Sequence, residues 1–313
     1  MSHPSLNRRS GLSPTMCPVY RGRFAPSPSG PLHLGSLVAA VGSYVEARIH
    51  NGQWLLRIEN LDPLREVPGA SADILKVLEA LGMEWDSSVV YQSERGEAYR
   101  AALGRLERKH LIYPCSCSRK EILDSTIRGI EGPVYPGTCQ QPARPRISPA
   151  AAWRIRTDSK PIEFTDALQG RVRQQLQQDI GDFVLRRSDG IFAYQFAVVV
   201  DDAEQGVTHV VRGEDLLNST PRQIYLQQLL DYPTPYYFHL PVVVNARGEK
   251  LSKQTRAAPI NASNPIPQLI MVLRLLGQTP PSELIDGDIA SFWKWTMENW
   301  QQEWIPRKIL QAP

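Results

Sequence analysis

Residues 21–31, RGRFAPSPSGP, begin as a short strand and run out into a loop of Pro, Gly and Ser. Immediately afterwards Leu34, Leu37, Val38, Val41, Tyr44 and Val45 recur at helical spacing, and Asn51-Gly52 supplies the stop. The uninterrupted WLLRIEN of 54–60 reads as a buried strand. Ile74, Leu75, Val77, Leu78 and Leu81 then mark a second amphipathic helix, with Gly82 placed to end it. Strand and helix alternate from the start, so the chain is expected to be α/β, with a parallel sheet and crossover helices.

The alternation breaks at 113–150, which is rich in Pro, Gly and Cys and carries little periodicity. IFAYQFAVVVDD (191–202) and VTHVV (207–211) read as strands. A helix is expected over about 218–230 with Pro221 in its first turn. PVVVN (241–245) is strand-like and leads into the basic loop ARGEKLSKQTR. The remainder reads as helical, with Trp293, Met297, Trp300 and Trp304 on one helix face that suits docking better than ligand binding. The pattern divides the chain into an extension (1–20, disordered), two halves of one core (21–112 and 181–256), an insertion (113–180) and a helical C-terminal region (257–313). No internal repeat is visible.

Hydrophobic residues are 42% and charged residues 21% of 313, ordinary for a globular protein, and no apolar run reaches transmembrane length. Residues 1–20 hold Arg8 and Arg9 and no hydrophobic segment, which excludes a secretory signal and favours the cytoplasm. The first acidic residue is Glu46, which would also fit a transit peptide; a disordered extension, or a start at Met16, is the plainer reading. A net charge of +3 neither demands nor opposes a nucleic-acid partner.

Three segments carry candidate chemistry. His33 and Gly35 stand where a loop turns into a helix, whose unpaired N–H groups and partial positive charge attract phosphate. A histidine at a helix start is common, and this signal is weak alone. Lys250 and Lys253 flank Leu251-Ser252 on a loop after a strand, which suits a polyphosphate whose charge rises in the transition state, though lysine loops are usually solvated surface. Cys115, Cys117 and Cys139 cluster in a chain without a secretion signal, which favours a structural zinc over disulfides, and Cys-x-Cys is not a redox spacing. A Cys3His site within the insertion would have to use His110.

RFAPSPSGPLHLGSL and KLSKQ resemble the two signatures of the glutamyl/glutaminyl branch of class I aminoacyl-tRNA synthetases. RIENLDPLRE and VVRGEDLLNSTPRQIYL resemble two further segments of that branch, in the right order, and the similarity covers roughly residues 21–256. The resemblance implies a Rossmann-type class I catalytic core with a zinc-containing insertion and a short α-helical C-terminal region. It implies ATP with Mg2+ held by His33, Gly35, Ser36, Lys250 and Lys253, with His33 and Lys253 catalytic. It also implies glutamate held by Arg23, Ala25, Ser27, Glu59, Tyr194 and Arg212. Glutamate calls for such a set, because two carboxylates need cationic partners and an ammonium needs an acceptor. For the metal the resemblance implies one Zn2+ on Cys115, Cys117, Cys139 and, as fourth ligand, Tyr135.

Three departures stand out: Ser36 replaces the second histidine of the first signature, Leu251 and Gln254 alter the second, and Val198 replaces an asparagine four residues after the pocket tyrosine. The last should weaken glutamate binding by on the order of 1 kcal/mol. After the KLSK loop the sequence offers little room for an anticodon-reading domain. That feature is shared by short members of the branch, which activate glutamate without tRNA and transfer it to the queuosine base at the wobble position of tRNA(Asp). The expected partners are therefore L-glutamate, ATP and queuosine-bearing tRNA(Asp), with no membrane and a monomer favoured. The alternatives are a minimal enzyme charging a tRNA 3′ end and an inactive tRNA-binding paralogue.

Overall fold

The computed structural model describes residues 19–123, 128–140, 151–245, 247–251, 258–307 and 310–311, so the readings made for residues 1–18 and for Lys253 lie outside it. The expected alternation is present in the first hundred residues: β1 (Arg21–Phe24), α1 (Leu34–Ile49), β2 (Gln53–Ile58), α2 (Ala70–Ala80), β3 (Val90–Tyr91) and α3 (Gly96–Arg108). The three strands form a parallel sheet in the order β1-β2-β3, with Arg23 opposite Leu55 and Ile58 opposite Tyr91. Gly52 closes the turn from α1 to β2 for a steric reason. A Cβ there would lie 2.4 Å from the Tyr20 carbonyl oxygen, closer than any side chain tolerates.

The region that lacks periodicity forms short elements: β4 (Ile112–Cys115), α4 (Arg119–Leu123), β5 (Arg128–Gly129), β6 (Gly132–Pro133), β7 (Ala152–Ile155), β8 (Ile162–Asp166), β9 (Gly170–Gln174), α5 (Leu176–Asp179) and β10 (Val184–Arg186). β10, β7 and β4 make an antiparallel sheet, and β8 and β9 a hairpin. The chain then returns to the core through α6 (Tyr194–Glu204), β11 (His209–Gly213), α7 (Thr220–Leu230), β12 (Tyr236–Leu240) and β13 (Val243–Val244). β11 and β12 are parallel and pair Arg212 with His239. The Thr208 N–H donates to the Arg21 carbonyl at 2.9 Å, which sets this pair along the free edge of β1. The last elements are α8 (Pro265–Leu275), α9 (Ile289–Asn299) and β14 (Leu310–Gln311), the latter pairing with β13.

Two expectations are corrected. The run from Ile191 to Asp202 is not a strand: Tyr194–Glu204 is helix α6. Its valines and aromatics favour strands, but Phe196, Ala197, Val198, Val199 and Val200 are all buried, and a helix buried on every side through such a stretch shows no amphipathic period. The tryptophan stripe is also not one helix face, because α9 ends at Asn299, Trp300 is its extended C-cap, and Trp304 lies in a 3-10 turn with 51% of its surface exposed. Docking of the remaining stripe is real but internal. The Trp293 indole N–H donates to the Leu81 carbonyl and that of Trp300 to Glu46 Oε1, both at 2.8 Å. Among the described residues no helix is long and apolar enough to cross a membrane.

Candidate active site

His33 is the N-cap of α1, with extended backbone, and its capping is reciprocal. The Ser36 N–H donates to His33 Nδ1 at 3.3 Å, while the His33 N–H donates to Ser36 Oγ at 2.8 Å. The Ser36 hydroxyl donates to the His33 carbonyl at 2.7 Å. Since Nδ1 accepts, the neutral ring carries its proton on Nε2, which is therefore the donor nitrogen of this cap. The two signature segments meet here. A Cβ on Gly35 would lie 3.2 Å from both the His33 ring and the Leu251 carbonyl oxygen, so a glycine lets the two loops abut. His33 and Pro259 also form an isolated antiparallel bridge. On the same loop, Lys250 Nζ lies 2.6 Å from Asp215 Oδ2, in the 3-10 turn Glu214–Ser219 that follows β11.

The loop leading into His33 also lines a cavity of about 300 Å3, together with the ends of the parallel strands. Such strand ends are where open α/β sheets bind ligands. Ser27, Glu59 and Tyr194 face it, and Asp62, Arg65 and Arg187 stand around it. Tyr194 arrives at the first turn of α6 and Glu59 just beyond β2. Arg23 and Arg212 are buried behind these residues rather than among the lining groups. Arg23 Nε donates to Asp202 Oδ1 at 3.2 Å, and Arg212 Nη1 reaches the Tyr194 hydroxyl at 3.5 Å. Ala25 is half-buried at the end of β1.

A charge network lies under the cavity that no local pattern announced. Arg57, buried in β2, meets Asp202 Oδ1 at 2.8 Å, Glu59 Oε1 at 3.5 Å and Asp201 Oδ2 at 3.8 Å. Asp201 also accepts from Gln92 at 2.7 Å and Tyr99 at 2.8 Å. The one signal available in the sequence was the Asp201-Asp202 pair closing an apolar run. Burial raises the Glu59 carboxyl to about 7 against the opposing pull of Arg57 and Arg23. Asp202 stays below the usual carboxylate range: burial pushes it up, but Arg23 and Arg57 outweigh that. Burial holds the Tyr194 phenol up, so it remains neutral.

In the insertion, the sulfurs of Cys115, Cys117 and Cys139 all lie within 4.8 Å of one another. The Tyr135 hydroxyl is 3.4 Å from Cys115 Sγ and 3.6 Å from Cys117 Sγ, and it accepts the Cys139 N–H at 2.9 Å. Arg154 stacks over the Tyr135 ring at 4.0 Å. Three thiols around one phenol oxygen fit tetrahedral zinc in donor type and spread, since Zn–S bonds of about 2.3 Å set the sulfurs roughly 3.8 Å apart. His110, at a turn with φ 56°, is not part of this cluster.

A parallel nucleotide-type core with a capped histidine, an abutting lysine loop and a strand-end cavity defines a class I aminoacyl-tRNA synthetase catalytic core. The family described as "tRNA synthetases class I (E and Q), catalytic domain" matches residues 20–284, and the chain belongs to it, among relatives named glutamyl-Q tRNA(Asp) synthetase. The relative from Dechloromonas aromatica is 56% identical over 93% of this chain and 97% of its own length. That from Aromatoleum aromaticum is 54% identical over 95% and 94%, and that from Neisseria meningitidis serogroup B 51% identical over 94% and 100%. In fold the chain is similar to a glutamate–tRNA synthetase from Elizabethkingia anophelis, with a TM-score of 0.77, 23% identity, and coverage of 94% of this chain and 68% of that one.

Proposed function

We propose that this enzyme activates glutamate with ATP in the absence of tRNA and transfers it to the queuosine base at the wobble position of tRNA(Asp). The relatives' shared name supports the transfer. The observation that carries the activation is the cavity itself: Glu59 and Tyr194 line it, Arg23 and Arg212 lie behind it, and its loop continues into His33. In this reading the ammonium of glutamate meets the Glu59 carboxylate, and Arg23, Ala25, Ser27, Tyr194 and Arg212 hold the rest of the amino acid. The α-carboxylate attacks the α-phosphorus of ATP, a P–O bond forms, and the bond to pyrophosphate breaks. The His33 Nε2–H, the amides beyond Gly35 and Ser36, and the ammonium groups of Lys250 and Lys253 stabilise the charge that moves onto the phosphates. Mg2+ bound with ATP would neutralise part of the polyphosphate charge. A hydroxyl of the modified base then attacks the acyl carbon, forming an ester and releasing AMP.

Cys115, Cys117, Tyr135 and Cys139 would hold one structural zinc that fastens the cysteine-bearing part of the insertion, where Tyr113, Cys115 and Tyr135 form a small buried cluster of their own. Val198, one turn along α6 from Tyr194, is buried in the core and offers the substrate no polar atom. The test is glutamylation of tRNA(Asp) with and without queuosine, each also with its 3′-terminal adenosine removed. Labelled glutamate on the queuosine-bearing tRNA, whether or not that adenosine is present, is the expected result. Labelling that needs the 3′ adenosine and ignores queuosine would identify a minimal 3′-charging enzyme. Absence of glutamate-dependent ATP–pyrophosphate exchange would leave only a tRNA-binding role.

A further inference from the structure

Arg212 is buried, yet among the described residues no carboxylate lies within ion-pair distance of its guanidinium; every direct partner is neutral. Its Nε–H donates to His239 Nε2 at 3.0 Å, and Nη2 donates to Thr220 Oγ1 at 2.9 Å and to the Leu216 carbonyl at 3.5 Å. Among the described residues Nη1 makes the long contact with the Tyr194 hydroxyl on the cavity wall and no other hydrogen bond. A buried cation without an acid beside it costs stability unless something else supplies the counter-charge.

That charge stands one imidazole away. His239, fully buried on β12 beside Arg212, approaches Asp166 Oδ2 with Nδ1 at 2.6 Å. An Arg Nε–H can only donate, so His239 Nε2 must be a lone pair and Nδ1 must carry the proton, which Asp166 accepts. Asp166, at the end of β8, is itself held by the backbone N–H groups of Leu168, Gln169 and His239. The order of contacts is therefore carboxylate, neutral imidazole, guanidinium, cavity.

We propose that Asp166 and His239 are positioning residues for glutamate recognition: they aim Arg212 at the cavity and leave its charge for a substrate carboxylate. A directly paired aspartate would hold the guanidinium equally well but would compete with the substrate for it. The imidazole passes on orientation without that competition. This rests on the reading of Arg212 as a glutamate-binding residue.

The experiment is ATP–pyrophosphate exchange without tRNA, with KM for glutamate and for ATP measured separately, on the wild type and on His239→Leu, His239→Gln and Asp166→Asn. Loss of a charge-assisted bond predicts that His239→Leu and Asp166→Asn raise the glutamate KM about ten- to a hundred-fold. KM for ATP and kcat should stay within about twofold of wild type, since only substrate binding is affected. His239→Gln retains an acceptor for Arg212 and a donor for Asp166 and should restore most of the glutamate affinity. An unchanged glutamate KM in the Leu and Asn variants overturns the proposal, as does an equal loss in kcat and in both KM values that Gln does not rescue. If those two variants fail to fold, Thr220→Val decides. It removes one of the bonds that orient Arg212, and a glutamate KM that does not rise at least about threefold refutes the assignment. A wild-type enzyme that shows no exchange with glutamate would instead refute the function proposed above.

Discussion

Ser36→Ala separates a structural serine from a nucleotide contact. The hydroxyl accepts the His33 N–H at 2.8 Å and donates to the His33 carbonyl at 2.7 Å. That carbonyl keeps the Leu37 N–H at 2.9 Å, so alanine orphans one group, the backbone N–H of the cap. Losing one side of a capping box costs about 1 kcal/mol, which for a chain of this size lowers Tm by roughly 2 °C. The same bond fixes the backbone that carries the His33 ring. If half or more of that energy is withdrawn from the transition state, kcat for glutamate-dependent ATP–pyrophosphate exchange falls about two- to fivefold. Ser36→Thr keeps the hydroxyl and should recover both Tm and rate. The assay is exchange at saturating glutamate and ATP beside a thermal melt. Full activity in Ser36→Ala would refute the coupling between cap and histidine. Equal loss in the Ala and Thr variants would show that volume, not the hydrogen bond, matters at this position.

Other outcomes follow from the same geometry. Purified protein should contain one zinc per chain by metal analysis; Cys139→Ser should lose it with a lowered Tm, and Tyr135→Phe should weaken zinc binding on the order of tenfold if the phenol is a ligand. Because burial raises Glu59 to about 7, the glutamate KM should climb as pH falls below 7, approaching tenfold per unit, and Glu59→Gln should lose that dependence. The stability sign runs the other way: a carboxyl raised above its unfolded value favours the fold below about 4.5, and this contribution is lost as pH rises through 7, so Glu59→Gln should melt higher than wild type at pH 8. Trp300→Phe removes the donor to Glu46, whose carboxyl is already raised by burial and lowered by that bond. It should cost about 1–3 kcal/mol by denaturant titration near neutrality and less in acid, where the carboxyl is protonated.

The parts of the site legible in the sequence are those built from neighbours along the chain. His33 and Gly35 share a helix start whose signature needs only a few consecutive residues, and Glu59 follows a strand that reads plainly as buried. The β1-α1-β2-α2 order is legible because the large apolar residues of α1 and α2 recur at helical spacing, broken in α1 by Gly35, Ser36, Gly42 and Ser43, although only α2 has an exposed face. In α6 five apolar residues run consecutively from Phe196 to Val200, a pattern shared with buried strands, and nothing local marks Asp201 and Asp202 as turning inward toward Arg57 and Arg23. Asp166 and His239 lie 73 residues apart in separate elements, and neither has a local pattern. The cysteine cluster was visible from composition and spacing. Its arrangement around the Tyr135 hydroxyl was implied by the family resemblance.

Helix α1 has His33 at its N-terminus, and in its last turn Glu46 is fastened to Trp300. Its 16 residues make a rod roughly 24 Å long, so a tilt of about 2–3° about one end displaces the other by about 1 Å. A shift of that size at a reacting group can reduce a rate about a hundredfold. Alignment at the nucleotide end is therefore set partly at the far end of a lever, by an indole that touches no substrate. Sequence drift in the C-terminal helices is free only where it leaves that anchorage unmoved.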